Sequence, residues 1–305
     1  MREFELLRHI YDANAGLGDD ITIPPGDDMA MIRLAGRELL AAIDQVIDGR
    51  HVRLATTPLA IVGRKAITRS LSDIAAMAAR PVGALVAVVL PPDFGAERAE
   101  ALFDAMRATA AEYDCPLIGG DIAFHADATH PLTCSVTVLA EPVNGRAITR
   151  AGAEADDVVY VTGALGGAVL EDGLGKHLTF EPRIPEAIEL AGALGPRLHA
   201  MIDLSDGLGR DASHIADCSG VRIEIDAARI PCTAGVDWRA AVGGGEDYEL
   251  LFTAGGDVPA QLAGGLAVTA IGRVSPRRGE GGPLVIIRDG NEIITGDELG
   301  WQHES

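Results

Sequence analysis

"MIDLSDGLGRDASHI", residues 201–215, passes from an apolar run through two glycines into a segment with helical spacing. The run suits a buried strand, and Gly220 further on is a helix stop signal. A strand that delivers acids to a helix N-terminus is a building block of an α/β layer structure. Three acids, Asp203, Asp206 and Asp211, fall within nine positions. Like charges about 4 Å apart repel by roughly 4 kcal/mol at an effective dielectric near 20. Either a cation compensates or the side chains diverge. Gly207, Gly209 and Ala212 also fit the G-x-G-x-x-A dinucleotide fingerprint, with Asp226 ending the next strand. Dinucleotide sites do not set acids against a pyrophosphate without a metal, so this reading ranks behind a metal site.

Working outward, the same plan recurs. "RELLAAIDQVIDG" (37–49) reads as a strand delivering Asp44 at its carboxyl end, and "CPLIGGD" (115–121) as a strand stopping at glycines and Asp121. Between them "ATTPLAIVGRKAITRSLSDIAAMAARP" (55–81) predicts one long helix, capped by Thr56 or Thr57, with Pro58 in its first turn and Pro81 beyond its end. Its many small residues predict a close packing partner. "VGALVAVVLPP" (82–92) and "LTCSVTVLAEP" (132–142) are further strands, and 95–114 is an amphipathic helix. Polar, turn-rich residues 141–157 place a boundary between an N-terminal unit, 1–146, and a C-terminal unit, 147–305. The second unit runs through strands at "DVVYVTG" and "VRIEID", a Gly turn feeding a strand at "VGGGEDYELLFTA", and a final strand at "LAVTAIGRV".

Composition narrows the class. Of 305 residues, 48% are hydrophobic and only 4% aromatic, which supports a substantial aliphatic core. The formal charge of −20, without a Lys/Arg run, argues against nucleic acid. Cys115, Cys134, Cys218 and Cys232 lack metal-ligand spacing and read as buried thiols. The start, "MREFELLRHIYDA", has an amphipathic helix pattern rather than that of a signal peptide, and no apolar run is long enough to span a bilayer. A cytoplasmic protein is expected.

Acids close several strands or loops: Asp27 and Asp28 in "PPGDDMA", Asp44 and Asp48, Asp121, Asp203 and Asp206, then Glu246 and Asp247 in "GGGED". Asp73 lies within the long helix. Oxygen ligands on rigid elements, with little His or Cys nearby, suit Mg²⁺ shared with substrate phosphates. Taken singly, Asp28, Asp48 and Asp211 read as turn or helix-terminal acids. Asp206 alone would serve as an N-cap, and Asp73 as a surface partner of Arg69. No P-loop, protein-kinase H-R-D or G-x-S-x-G motif is present. The residues alone give a divalent-metal, phosphate-handling site.

Taken in order, "PPGDDMA", "SDIAAMAARP", "LIGGD", "RAITRAGAEADDVVYVTGALG", "IDLSDGL", "GGEDYELLF" and the final "GWQH" resemble the thiamine-monophosphate kinase family, from about residue 15 to the end. The resemblance implies Mg²⁺- and ATP-dependent phosphorylation of thiamine monophosphate to thiamine diphosphate. It also implies the two-domain α/β (α+β) fold of aminoimidazole-ribonucleotide synthetases, a mixed N-terminal sheet pairing across a homodimer and a C-terminal α/β domain. Metal ligands would fall on Asp27, Asp44, Asp73, Asp121, Asp203 and Asp206. ATP contacts would fall on Gly120, Asp121, Arg150 and Ser205, and substrate contacts on His51, Glu246 and Trp301. Trp301 can stack on the substrate's cationic and flat rings, Glu246 can accept from an aminopyrimidine, and Arg150 can clamp a phosphate. No general base is required, because the nucleophile is already an ionised phosphate oxygen.

The chain departs from the family pattern where Ala42 and Ile43 replace hydroxyl residues before Asp44, and where Phe103 replaces a tyrosine expected near adenine. A longer loop, "AFHADATHP", follows Asp121. Two other readings stay open: another ATP-dependent synthetase of the same superfamily, or a non-catalytic binder of thiamine phosphate or nucleotide. Against selenophosphate synthetase, no cysteine precedes Cys115.

Overall fold

The computed structural model describes residues 20–23, 26–127, 129–277, 282–296 and 299–300. The amphipathic pattern at the N-terminus and Trp301 lie outside them. The architecture is mixed α/β, built on two sheets. In chain order the first holds β1 (Ile21–Ile23), β2 (Ala30–Leu34), β3 (Arg37–Ile47), β4 (Ala79–Leu90), β5 (Leu117–Phe124) and β6 (Thr133–Pro142). Its spatial order is β1-β2-β3-β6-β4-β5, antiparallel except for the β4/β5 pair. The parallel pair is the one bridged by a helix, α2 (Ala96–Glu112), as a parallel connection requires.

The second sheet holds β7 (Val158–Thr162), β8 (Leu198–Asp203), β9 (Val221–Asp226), β10 (Leu250–Ala254), β11 (Val268–Pro276), β12 (Val285–Asp289) and β13 (Glu292–Thr295). They run in the order β13-β12-β9-β11-β7-β10-β8, with β9/β12 the parallel pair. Strand β11 is therefore not the last, since the hairpin β12–β13 follows it. Helices α3 (Ile184–Leu194), α4 (Leu208–Ser219) and the short α5 (Trp238–Gly243) complete this half.

The long helix, α1 (Leu59–Ala76), is shorter than its pattern suggests. Neither threonine caps it: Pro58 holds the N-cap position without a side-chain bond, and Thr56 Oγ1 bonds the Arg53 carbonyl instead. Pro81 does not follow the helix but lies inside β4, at a register shift against β6. Val62, Ile67, Leu71 and Ile74 of α1 are completely buried. Each such side chain contributes about 1.5–3 kcal/mol relative to exposure. They anchor the helix while Lys65, Arg69 and Asp73, spaced at i, i+4 and i+8, share another of its faces. The expected close partner is α2, which meets α1 at Gly63. A Cβ there would lie 2.8 Å from Ala105 Cβ and 2.9 Å from the Leu102 carbonyl oxygen. Gly63→Val should therefore lower the unfolding midpoint by roughly 2–5 °C, since overpacking costs about 1–3 kcal/mol. An unchanged midpoint in differential scanning calorimetry would show that the two helices separate freely.

One core joins α1, α3, the inner face of the first sheet and residues of β8 and β10, among them Leu198, Met201 and Phe252. A second core lies under α4 and includes Ile202, Ile215, Ile223 and Ile287. Along β3 the two-residue period turns Leu40, Ala42, Asp44 and Val46 one way, with Leu40 and Val46 buried, and Ile43 the other, where it is exposed. Asp44 is thus an inward residue three positions before the strand ends, rather than its terminus.

Candidate active site

Strand β8 ends on Asp203 and the chain turns through Ser205–Gly207 into α4. Gly207 is the N-cap residue, at φ 108. Asp206 is no cap: its backbone N–H, like that of Gly207, donates to Asp211 Oδ2 at 3.1 Å. Asp211 so satisfies the amides of the turn. At Gly209 a Cβ would lie 2.3 Å from the Gly296 carbonyl oxygen and 2.7 Å from that of Leu299. The C-terminal chain packs onto this helix end, where the dinucleotide fingerprint needs room for a pyrophosphate, and the fingerprint fails on that contact.

Asp203 meets Asp28 and Asp73, each offering a carboxylate oxygen within 4.8 Å of the others. The three come from the turn before β2, from α1 and from the end of β8, so both halves of the chain contribute. Ser72 Oγ donates to Asp203 Oδ2 at 2.6 Å. Arg150 forks onto Asp28, through Nε at 3.2 Å and Nη2 at 2.8 Å. Burial, then the Asp28 charge, raises the Asp203 carboxyl to about 7. Burial together with Asp44 and Asp203 holds Asp73 well above the usual carboxylate range. The arrangement has more buried negative charge than Arg150 alone offsets, and only oxygen ligands. It fits a hard divalent cation.

The sequence-predicted acids divide on this geometry. Asp73 and Asp203 belong to the cluster. Asp44 acts on it electrostatically and pairs with Arg69 at 3.3 Å. Asp27 is turned to the backbone, accepting from the Arg150 N–H at 3.1 Å and the Asp28 N–H at 2.9 Å, and burial raises it to about 6. Asp121 sits within β5, exposed at the sheet edge, because the strand runs on to Phe124. Asp206 lines a neighbouring cleft. Asp28, which reads as a turn residue, is the one brought in. The "DD" pair does not reveal which member points inward; a backbone turn decides it. Asp73 is no surface partner of Arg69, which instead bridges Asp44 and Glu246.

The cleft, about 610 Å³, is lined by His51, Arg69, His177, Ser205, Asp206 and Glu246 among others. His51 Nδ1 accepts from the Ile47 N–H at 3.0 Å, and burial lowers its pKa to about 4. The ring is therefore neutral at physiological pH, with its proton on Nε2. Gly300, at φ 136, packs against the Asp206 carbonyl and Arg210. This brings Gly300 up to Asp206, which lines the cleft.

"EDYE", residues 246–249, reaches the loop 164–183 with every side chain. Glu246 meets His177, Asp247 meets Lys176 and the Gly166 N–H, Tyr248 stacks on Phe180, and Glu249 takes a fork from Arg183. Glu246 and Tyr248 both hold positive φ, 63 and 52. Such strain costs about 1–3 kcal/mol per residue and persists only where the surroundings over-determine it. The distinctiveness of this motif has its physical reason here. His177 and Lys65, the other polar residues under Glu246, carried no sequence signal: a lone Lys inside a helix reads as solvated.

Gly120 and Asp121 lie elsewhere, on β5. Beside them Leu90, Phe103, Ile122 and Phe124 line an apolar groove of about 600 Å³ between β5 and α2. Cys115 and Cys134 are buried, as expected, but Cys218 is exposed at the end of α4.

Two mixed sheets share a helical layer, and acids from both halves of the chain converge on one point. The AIR synthase related protein N-terminal domain model matches residues 26–141. Thiamine-monophosphate kinase of Escherichia coli K12 is 33% identical, covering 99% of this chain and 98% of that one. The same enzyme of Rhodopirellula baltica is 32% identical over 89% and 87%. Among solved structures, AaThiL complexed with AMPPCP and TMP has a TM-score of 0.79 at 28% identity, over 99% of this chain and 97% of that one. The kinase of Stenotrophomonas maltophilia K279a has 0.71 at 32%, over 93% and 96%. E. coli HypE, at 18% identity and a TM-score of 0.70, shares the fold alone. The chain belongs to the thiamine-monophosphate kinase family.

Proposed function

We infer that this chain transfers the γ-phosphoryl group of ATP to thiamine monophosphate, giving thiamine diphosphate and ADP. The observation that carries the reading is the meeting of Asp28, Asp73 and Asp203 beside a cleft that Ser205, Asp206 and Glu246 line. Family membership supplies the substrates. A phosphate oxygen of thiamine monophosphate attacks the γ-phosphorus as the bond to the bridging oxygen of ADP breaks. Positioning and charge neutralisation carry such a transfer.

Asp28, Asp73 and Asp203 are proposed to hold Mg²⁺, with Asp44 and Asp206 close enough in charge or chain to share in further ions. Bound Mg²⁺ would supply neutralisation of the transferring phosphates. Asp27 is proposed to act through the backbone of Arg150 and Asp28. Arg150 holds Asp28, so any phosphate clamp would draw on the donors of its fork that this pairing leaves. Gly120 and Asp121 remain proposed ATP contacts, and the apolar groove beside them suits a flat purine, with Phe103 as a stacking face. His51, with its Nε2–H, and Glu246 are proposed to face the thiamine moiety. Trp301, just past Gly300, is proposed to cover it.

The outer face of the first sheet supports the proposed homodimer. Ile43, Leu85 and Ile118 are 40–64% exposed, and β5 leaves one edge unpaired among the described strands. Exposed apolar surface and an open strand edge mark an interaction site. No helix among the described residues is long and apolar enough to cross a membrane. A cytoplasmic location is the proposal that accords with this.

The test is product formation from purified protein, ATP, MgCl₂ and thiamine monophosphate. Thiamine diphosphate should appear only with Mg²⁺ and the monophosphate, and not with thiamine or with EDTA. No product despite measurable binding of both substrates would establish the non-catalytic binder, and would point to Ala42 and Ile43.

A further inference from the structure

Lys65 is a fully buried lysine beneath the cleft. Its Nζ donates to the His51 carbonyl at 2.9 Å and to Glu246 Oε2 at 2.8 Å, and lies 2.6 Å from His177 Nδ1. His177 Nε2 lies 3.2 Å from the Gly173 carbonyl and must donate to it, since a carbonyl only accepts. Nδ1 faces both Lys65 Nζ and Glu246 Oε2.

The two oxygens of Glu246 are treated differently. Oε2 is taken by Lys65 and packed 2.8 Å from His177 Nδ1. Among the described residues Oε1 has only long contacts, 3.4 Å to the Tyr248 hydroxyl and 3.7 Å to Arg69 Nη1. The Glu246 backbone is fixed as well, its N–H donating to the Ser205 carbonyl at 2.7 Å. A carboxylate held so firmly by one oxygen, on the wall of a cleft, presents the other as an acceptor.

We propose that Lys65 and His177 are positioning residues, which grip one oxygen of Glu246 so that the other accepts a hydrogen bond from the amino group of the substrate's aminopyrimidine. This rests on Glu246 as a substrate contact under Proposed function. The alternative is a buried ion pair that serves stability alone. The charged or titratable groups facing Glu246 are Lys65 and Arg69 from α1, His177 from the loop, Tyr248 beside it, and His51 across the cleft. Asp44 acts through Arg69. Burial opposes ionisation of Glu246, but His177 and Lys65 outweigh it and hold the carboxyl at about 2. Lys65 itself, lowered by burial to about 8, stays charged below that pH.

The experiment measures KM for thiamine monophosphate and kcat from pH 5.5 to 7.5 in the wild type, Lys65→Met, His177→Asn and Glu246→Gln. Variant-to-wild-type ratios cancel titration of the substrate phosphate. Glu246→Gln should raise KM about tenfold or more at every pH, the loss of a charged hydrogen bond. Lys65→Met should raise KM by about tenfold at pH 5.5, with kcat within about threefold. Without its cation the buried Glu246 takes up a proton, so the deficit should shrink toward pH 7.5. His177→Asn should raise KM by a smaller factor and serves the same purpose if Lys65→Met does not fold. A merely structural pair would move kcat, KM and the unfolding midpoint together, with no pH trend in the KM ratio. That result, or KM within twofold of wild type for the folded variants while Glu246→Gln raises it, overturns the positioning role. If Glu246→Gln leaves KM unchanged, the reading of Glu246 as a substrate contact falls first and the positioning role with it.

Discussion

Asp203→Asn lowers kcat by on the order of 10³-fold, the scale of losing about 4 kcal/mol of transition-state stabilisation by a metal. The substitution keeps shape, and Asn Oδ1 still accepts from Ser72. What it removes is one of three carboxylates that meet within 4.8 Å. In EDTA the variant should therefore unfold at the same temperature as the wild type or higher, because a repulsion is relieved. In MgCl₂ the wild type should gain about 2.7 kcal/mol at a hundred times its dissociation constant, and the variant little. Calorimetry with and without the ion, beside turnover, reads both. A variant that keeps its activity and its Mg²⁺-dependent stabilisation would remove Asp203 from the metal site.

Arg150→Met destabilises the chain strongly at pH 7.5 and mildly at pH 5. Arg150 is the cation that forks onto buried Asp28 and donates its backbone N–H to Asp27. Deleting one partner of a buried pair costs about 3–5 kcal/mol, which for a chain of this length is roughly 5–8 °C in midpoint. The sign of the pH effect follows from the acids left behind. Burial, reinforced by Asp28, already raises Asp27 to about 6 and Asp203 to about 7. A carboxyl whose folded pKa is raised is more protonated folded than unfolded. Its contribution to stability is therefore lost as pH rises through about 4–7. Without Arg150 those values rise further, so protonation at pH 5 relieves most of the added strain. Arg150→Lys keeps the charge without the fork and should fall between. An equal midpoint loss at both pH values would show that Arg150 acts by packing rather than by charge.

Much of the arrangement is readable in the chain because short-range rules govern it. Asp203 ends a strand, Gly220 stops α4, and the glycines before Glu246 feed β10, each as local pattern indicates. Where the reading falls short, the deciding contact is remote in sequence. Pro81 marks a helix end by local rules, yet it enters β4 because β6 takes its register from residues 60 positions away. Asp121 ends a run of glycines, yet the parallel pairing with β4 carries the strand on to Phe124. Lys65 and His177 acquire a role only because the loop 164–183 folds back over α1. The hairpin β12–β13 is short and partly exposed, with no apolar periodicity strong enough to announce it.

Helix α1 packs between strands of both halves, and the core around it takes Ile67 and Leu71 from one side of residue 146 and Leu190, Met201 and Phe252 from the other. Strand pairing divides there, but burial does not. A fragment ending at 146 would expose to water the faces that Met201 and Phe252 cover, and should be recovered as aggregate rather than as an independent module. The same insertion ties lifetime to function: Asp28 and Asp73 stand on one side and Asp203 on the other, so any separation of the sheets dismantles the carboxylate cluster in the same event. Loss of activity on heating should follow the unfolding curve point for point, with no folded, inactive species between them.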